Sequence, residues 1–177
     1  MARTDKYEQI RGQLLELLSP AFPGIEVSVE HSQRFKRMVL TFVHASFTRW
    51  LTEQRFRFVV QRIPPEFFEK NLRGAVWFEL APGETAEDVM KAKRSEDLAD
   101  RSEDIGQRLE KKGFYDALRK DMGTDPARKC SDDFAHTRAV LDRMGIKEEE
   151  QTDVCLVLIG RGAYCDCAVL GLGQVDS

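Results

Sequence analysis

The feature that most constrains the second half of the chain is a short cysteine motif near its C-terminus. Residues 162–167 read Gly-Ala-Tyr-Cys-Asp-Cys, which places Cys165 and Cys167 two positions apart. A third cysteine, Cys130, lies upstream and is followed shortly by His136. We predict that the second half of the chain is built around these four side chains.

The composition is that of a soluble globular protein. The 177 residues are 42% hydrophobic and 32% charged, which is enough for one domain or two small domains with a buried core. The longest apolar run, residues 154–159, is too short to span a bilayer, so we expect no membrane partner. The N-terminal residues are charged and lack the apolar region of a signal peptide, which predicts a cytoplasmic location and reduced thiols.

The charges are unevenly distributed in the first part of the chain. Between Ser32 and Ile63, Glu53 is outnumbered by basic residues: Arg34, Lys36, Arg37, Arg49, Arg55, Arg57 and Arg62. The stretch from Glu79 to Asp104 is rich in acidic residues: Glu79, Glu84, Glu87, Asp88, Glu96, Asp97, Asp100, Glu103 and Asp104. We expect the two segments to face each other or to lie in solvent, since mixed charge most often forms a solvated surface.

Hydrophobic periodicity predicts the elements of the first half. A first helix is indicated by apolar residues at helical spacing: Tyr7, Ile10, Leu14 and Leu17. Alternation at Ile25, Val27 and Val29 predicts a half-buried strand, and residues 35–43 predict its partner strand. Two helices separated by Pro64-Pro65 and a third strand over residues 75–80 complete the order helix, strand, strand, helix, helix, strand.

The second half is predicted to be mostly helical. Residues 154–159 alone do not distinguish a helix from a strand, but the acidic run at residues 148–150 favours a helix N-terminus. Residues 164–170 are predicted to form one short strand. The expected fold is therefore α+β, with a subdomain at 1–84, a charged helical connector at 85–125 and a cysteine-containing helical subdomain at 126–177.

A series of short motifs runs from the first helix to the turn after the third strand: Ile10-Arg11, Phe22-Pro23, Glu26-Val27, Phe35-Lys36, Phe47-Thr48, residues 55–59 and Pro82-Gly83-Glu84. In these residues the first half resembles the BolA family, whose fold is of the type II KH kind. The resemblance implies a three-stranded layer with helices on one face, and it covers about residues 4 to 84.

Two functional features of those families are missing from this sequence. BolA proteins carry a histidine on the third strand for iron–sulfur sharing with glutaredoxins, and here Trp77 or a neighbour takes that place. KH domains that bind nucleic acid carry a Gly-x-x-Gly loop between their helices, whereas residues 61–66 contain no glycine. The resemblance therefore implies the fold without implying cluster sharing or a phosphate clamp.

The second half, from about Cys130 to Leu170, resembles an uncharacterised bacterial domain of unknown function. That domain has a cysteine before a helix that contains a threonine, and a Gly-Gly-Tyr-Cys-Asp-Cys type motif ahead of a short strand. Cys130, Thr137 and residues 162–167 match this pattern, and Ala168 stands where an acidic residue is usual. The resemblance implies an architecture and a bacterial source, and it brings no activity with it.

The four side chains named at the outset fit a closed tetrahedral zinc site. On a strand, Cys165 and Cys167 would share one face, and Cys130 would lie just before a helix that carries His136. Three thiolates and one imidazole are a known zinc ligand set, and Asp132 or Asp133 is the alternative to His136 as fourth ligand. Two other hypotheses remain open: that the cysteines are small buried core residues, or that Cys165 and Cys167 form a redox dithiol.

These observations predict a cytoplasmic, non-enzymatic protein that binds a structural zinc and acts through an unknown protein partner. The sequence contains no phosphate loop, no Gly-x-Ser-x-Gly elbow and no His-Glu-x-x-His zinc motif. One alternative is a nucleic-acid-binding module that uses the basic segment 34–62. Nucleic acid is the less favoured partner, because Arg55 and Arg57 would lie about 200° apart around a helix. The second alternative is a thiol redox protein that uses Cys165 and Cys167.

Overall fold

The computed structural model describes residues 3–173, with side chains from residue 5 onward. The chain divides into two compact units, the first ending at Ala92 and the second beginning at Lys93. This junction falls inside the segment 85–125 that we predicted as a connector. The division of the chain into three parts stays a prediction.

The first unit contains the predicted succession of helix, strand, strand, helix, helix and strand. Its elements are α1 (Arg3–Leu18), β1 (Glu26–Ser32), β2 (Arg37–Val43), a 3₁₀ helix (Ala45–Arg49), α2 (Thr52–Val60), α3 (Pro65–Phe67) continued by a π-helical turn (Phe68–Leu72), β3 (Val76–Leu80) and α4 (Ala86–Lys91). Pro65 begins α3 because proline lacks the N–H that a first helical residue leaves unpaired.

The three strands form one mixed sheet in the order β1-β2-β3. The β1 and β2 strands are antiparallel, and the register pairs Val27 with Phe42. The β2 and β3 strands are parallel, and Leu40 pairs with Trp77. Val27, Leu40 and Phe42 are buried, as expected for the apolar positions of half-buried strands.

Two ion pairs within the first unit join the basic and acidic segments of the sequence. The buried Arg55 donates to the carbonyl oxygens of Trp50 and Glu79 and forms an ion pair with Glu84. Arg34 lies 3.8 Å from Glu87. The basic segment is therefore partly neutralised by the acidic residues that follow it in sequence.

The described residues of the second unit form helices joined by short loops and contain no strand. It consists of a 3₁₀ helix (Ser95–Arg101), α5 (Ser102–Lys111), α6 (Phe114–Met122), α7 (Pro126–Lys129), α8 (Ala135–Arg143), α9 (Glu148–Gly160) and α10 (Asp166–Leu172). Gly113 separates α5 from α6 in a left-handed conformation, with φ at 69°, which glycine adopts without steric cost. The α+β class with a mostly helical C-terminal region is confirmed.

Helix α9 forms the centre of the second unit. Residues 154–159 are all buried within it, so the prediction of a helix rather than a strand for this run is correct. Asp153 accepts from Lys93 at 2.6 Å and from Arg101 at 3.1 Å, which fastens the preceding 3₁₀ helix to α9. None of the helices between residues 3 and 173 combines the length and apolar character needed to cross a bilayer.

The predicted short strand at residues 164–170 is wrong. Cys165 is extended, with φ at −157° and ψ at 167°, but it is the N-cap of helix α10. Asp166 occupies the first helical position, where an acidic residue is favoured, and Val169 and Leu170 supply the buried side. The apolar residues of this segment thus follow a helical period.

Candidate metal centre

Two separate pieces of backbone bring three cysteines of the second unit together. Cys130 lies directly after α7, in extended conformation with φ at −71° and ψ at 127°. Cys165 caps α10, and Cys167 lies in the first turn of that helix. All three side chains are half-buried, so the cluster lies at the edge of the core.

The sulfur atoms of Cys130, Cys165 and Cys167 all lie within 4.8 Å of one another. The Sγ atoms of Cys165 and Cys167 are 3.3 Å apart. Two sulfurs bound to one tetrahedral zinc at about 2.3 Å would be separated by about 3.8 Å. The Cys165–Cys167 separation is somewhat shorter than this value and the other two sulfur separations are at most 4.8 Å, so the three cysteines could hold a metal ion with small side-chain adjustments.

Asp166, the residue between Cys165 and Cys167, holds the motif against helix α8. Its two carboxylate oxygens accept the backbone N–H groups of His136 at 2.9 Å and Thr137 at 2.8 Å. Its own N–H donates to the carbonyl oxygen of Asp133 at 2.9 Å. Asp166 is completely buried and therefore fixes α10 relative to the start of α8.

Asp132 and Asp133, in the turn between Cys130 and α8, contribute to the backbone structure of that turn. The buried Asp133 accepts the backbone N–H of Ala135 at 3.1 Å, which satisfies a donor at the helix N-terminus. Asp132 is exposed and adopts a left-handed conformation with φ at 56°. Neither aspartate belongs to the group of ligand atoms within 4.8 Å.

His136, which the sequence predicted as the fourth ligand, makes a different contact. Its Nδ1 lies 2.6 Å from the Oδ2 of Asp121 at the end of α6. The other oxygen of Asp121 accepts from Arg143 at 2.6 Å. Among residues 5–173, the group that can hold a metal contains the three cysteines and does not include His136. The structure thus brings three of the four predicted ligands together.

Burial raises the pKa of three thiols in the second unit. It raises the pKa of Cys165 and of Cys167 above that of a free thiol. It raises the pKa of Cys155, which is completely buried inside α9, to about 12. Cys155 is apart from the cluster and is a core residue, as expected from its place in the apolar run.

A cavity of about 790 Å³ lies beside the cluster, within the second unit. Cys167 is one of its lining residues, and Leu170 and Pro126 contribute apolar surface. Arg119 and Lys120 of α6 line the same cavity. This volume is within the range of small-molecule sites, so one of the three thiols borders a space that can take a ligand.

The supporting residues Asp121 and Asp166 were not identified from the sequence. Asp166 is an acidic residue in the first turn of α10, which is a sequence signal for a helix N-terminus, but its contacts with α8 depend on the tertiary arrangement. Asp121 lies in α6 and reaches residues of α8, so no local pattern predicts its partners.

Residues 122–171 match the model of a family described as "Protein of unknown function (DUF2695)". The matched stretch contains all three cysteines of the cluster, and it supports the expectation of an uncharacterised domain in the C-terminal part. Searches of curated proteins and of solved structures found no match. The family match does not extend to the first unit, so the resemblance of that unit to BolA proteins stays a prediction.

Proposed function

We propose that Cys130, Cys165 and Cys167 bind one zinc ion, which joins the segment after α7 to the start of α10. The observation that carries this proposal is the grouping of all three sulfurs within 4.8 Å. Thiolates are soft ligands that favour zinc over magnesium or calcium, and zinc imposes the tetrahedral arrangement that this spacing approaches. On binding, the metal replaces the thiol protons.

The role of the metal in this proposal is to stabilise the second unit. The cluster connects segments that are far apart in sequence, and a bond network through zinc contributes its binding energy to folding. His136 is left out of the ligand set because neither of its ring nitrogens belongs to the group of ligand atoms within 4.8 Å. The protein would act by binding rather than by catalysing a reaction.

We also propose that the binding partner is another protein rather than a nucleic acid. In the basic segment, Arg34 pairs with Glu87, and Arg55 is buried against Glu84. The guanidinium of Arg49 lies 5.0 Å from the centre of the Trp50 ring. Nucleic-acid binding needs cations converging on phosphates, and these engaged arginines favour weak binding or none. Salt-dependent, micromolar binding of single-stranded RNA or DNA by the purified protein would overturn this part.

A second candidate function is reversible disulfide formation, which the 3.3 Å separation of the Cys165 and Cys167 sulfurs favours. The two thiols would transfer two electrons to an oxidant such as hydrogen peroxide and release two protons as the sulfur–sulfur bond forms. The ring closed across a single intervening residue would be strained, so we place this function second.

Metal analysis of purified protein tests the proposed function and separates it from the second candidate. We expect about one zinc per chain when purification avoids chelators and keeps thiols reduced. The Cys130→Ser, Cys165→Ser, Cys167→Ser triple variant should hold none, and Cys155→Ala should hold as much as the wild type. Wild-type protein without zinc that forms a disulfide on peroxide treatment would replace the zinc proposal with the redox one.

A further inference from the structure

The cavity beside Cys167 gives the proposed metal centre an accessible side. The three sulfurs supply three ligands, and a tetrahedral zinc takes a fourth. Among residues 5–173, neither His136 nor Asp133 belongs to the group of ligand atoms within 4.8 Å. A centre with three protein ligands and an open position can accept an external ligand.

The cavity itself determines which kind of ligand fits. Lys120 lines it and is exposed, and its side chain has no hydrogen bond or ion pair among the described residues. Arg119 is also present, but it donates to Asp116 at 2.8 Å, so its charge is largely offset. The cationic group left for a ligand is therefore the ammonium of Lys120.

We propose that this cavity binds a small molecule that carries both a thiol and an anionic group. This inference rests on the proposed zinc site. The ligand's sulfur takes the fourth position on the metal, its thiol proton passes to solvent, and its anionic group pairs with Lys120.

The net negative charge of a zinc ion bound by thiolates favours a cation in the adjoining cavity. Three thiolates already outweigh a divalent ion by one negative charge, and a fourth thiolate adds another. Lys120 lines the same cavity as Cys167, and its ammonium can offset part of that charge, so the affinity for an anionic thiol depends on Lys120.

Cobalt-substituted protein provides the test, because the visible absorption bands of cobalt(II) change with its ligands. Wild-type protein loaded with cobalt is titrated with mercaptoacetate, with 2-mercaptoethanol as the neutral thiol and with acetate as the thiol-free anion. We expect mercaptoacetate to alter the bands at the lowest concentration of the three. Gel filtration after each titration checks that cobalt stays with the protein.

Two lysine variants test whether Lys120 contacts the anionic group of the ligand. Lys120→Ala should weaken the response to mercaptoacetate roughly fivefold, the upper range for an exposed ion pair, and leave the response to 2-mercaptoethanol unchanged. Lys147→Ala removes an exposed lysine outside the cavity and should change neither response.

The possible failures are distinguishable. Protein that shows no cobalt–thiolate spectrum before any ligand is added would overturn the zinc proposal and this inference with it. A normal cobalt spectrum that mercaptoacetate does not alter, or a loss of cobalt to mercaptoacetate, would overturn the inference alone. Equal responses to the three compounds, or an unaffected Lys120→Ala variant, would also overturn it.

Discussion

The buried carboxylate of Asp166 accepts the backbone N–H of Thr137 at 2.8 Å, so the residue between the two motif cysteines caps another helix. The same carboxylate accepts the N–H of His136 at 2.9 Å. The Cys-Asp-Cys motif therefore does two separate things: its cysteines belong to the group of three sulfurs that could hold a metal, and its aspartate fixes the helix that follows Cys130.

Asp166→Asn is expected to destabilise the protein even without metal. The asparagine side chain has one acceptor oxygen for two N–H donors, and leaving a buried donor unsatisfied costs about 1 to 3 kcal/mol. Urea unfolding in the presence of a chelator measures this loss. Asp142→Asn, at an exposed position of α8, is the matched control and should change the free energy of unfolding by less than about 0.5 kcal/mol. Equal effects of the two substitutions would refute the capping role.

Cys165→Ser and Cys155→Ala should differ in their response to a chelator. Cys155 is completely buried in α9, and trimming it costs about 1 to 2 kcal/mol on the scale of core truncations. Cys165→Ser removes a proposed ligand, and most of the folding energy supplied by the metal is lost with it. Thermal unfolding with and without chelator should show a large chelator effect in the wild type and in Cys155→Ala, and little in Cys165→Ser. Similar small losses in both variants, with a chelator-insensitive wild type, would mean that the cysteines serve packing alone.

His136→Ala is expected to keep its metal. The ring of His136 contacts Asp121 rather than the sulfur cluster, so removing it should lower stability slightly and leave about one zinc per chain. Metal analysis of the variant, alongside Cys167→Ser as the variant expected to lose zinc, checks this. A His136→Ala protein that has lost its zinc would restore the four-ligand site predicted from the sequence.

The start of helix α4 should show a pH-dependent contribution to stability. The Oδ2 atom of Asp88 accepts from the hydroxyl of Thr85 at 2.6 Å and from its backbone N–H at 2.9 Å, and these bonds lower the pKa of Asp88. A carboxyl group with a lowered folded-state pKa stabilises the fold above its unfolded pKa of about 3.9. That contribution is lost as the pH falls through the folded-state pKa.

An NMR titration of the Asp88 carboxyl group measures this directly. The pKa should lie below about 3.9 in the wild type and rise toward that value in Thr85→Ala, which lacks the hydroxyl donor. The difference in unfolding free energy between the two proteins should narrow at acidic pH. A pKa that is the same in both proteins would show that the Thr85 hydroxyl does not hold the carboxylate.

Much of the fold was predictable because it follows local periodicity. The apolar spacing in α1 and the alternation in β1 each identify one buried side of one element. The uniformly apolar residues 154–159 do not by themselves distinguish a helix from a strand. The acidic residues before them correctly indicated helix α9. These signals lie within single elements and need no knowledge of what packs against them.

The candidate site was predictable in its residue types and only partly in its geometry. Cys165 and Cys167 remain close although their segment is a helix, because Cys165 is the extended cap and Cys167 lies in the first turn. The pairing of His136 with Asp121 joins α8 to α6, and no pattern within either helix indicates it. Such contacts depend on how helices pack, which hydrophobic periodicity does not specify.

X-ray absorption spectroscopy at the zinc edge tests the central claim most directly, because it reports the atoms bound to the metal. For protein purified with its own metal, we expect three sulfur ligands at about 2.3 Å and one further ligand. Cys130→Ser should lower the sulfur contribution, and Cys155→Ala should leave it unchanged. Zinc bound by nitrogen and oxygen alone, or protein that contains no metal, would contradict the assignment of Cys130, Cys165 and Cys167 as a zinc site.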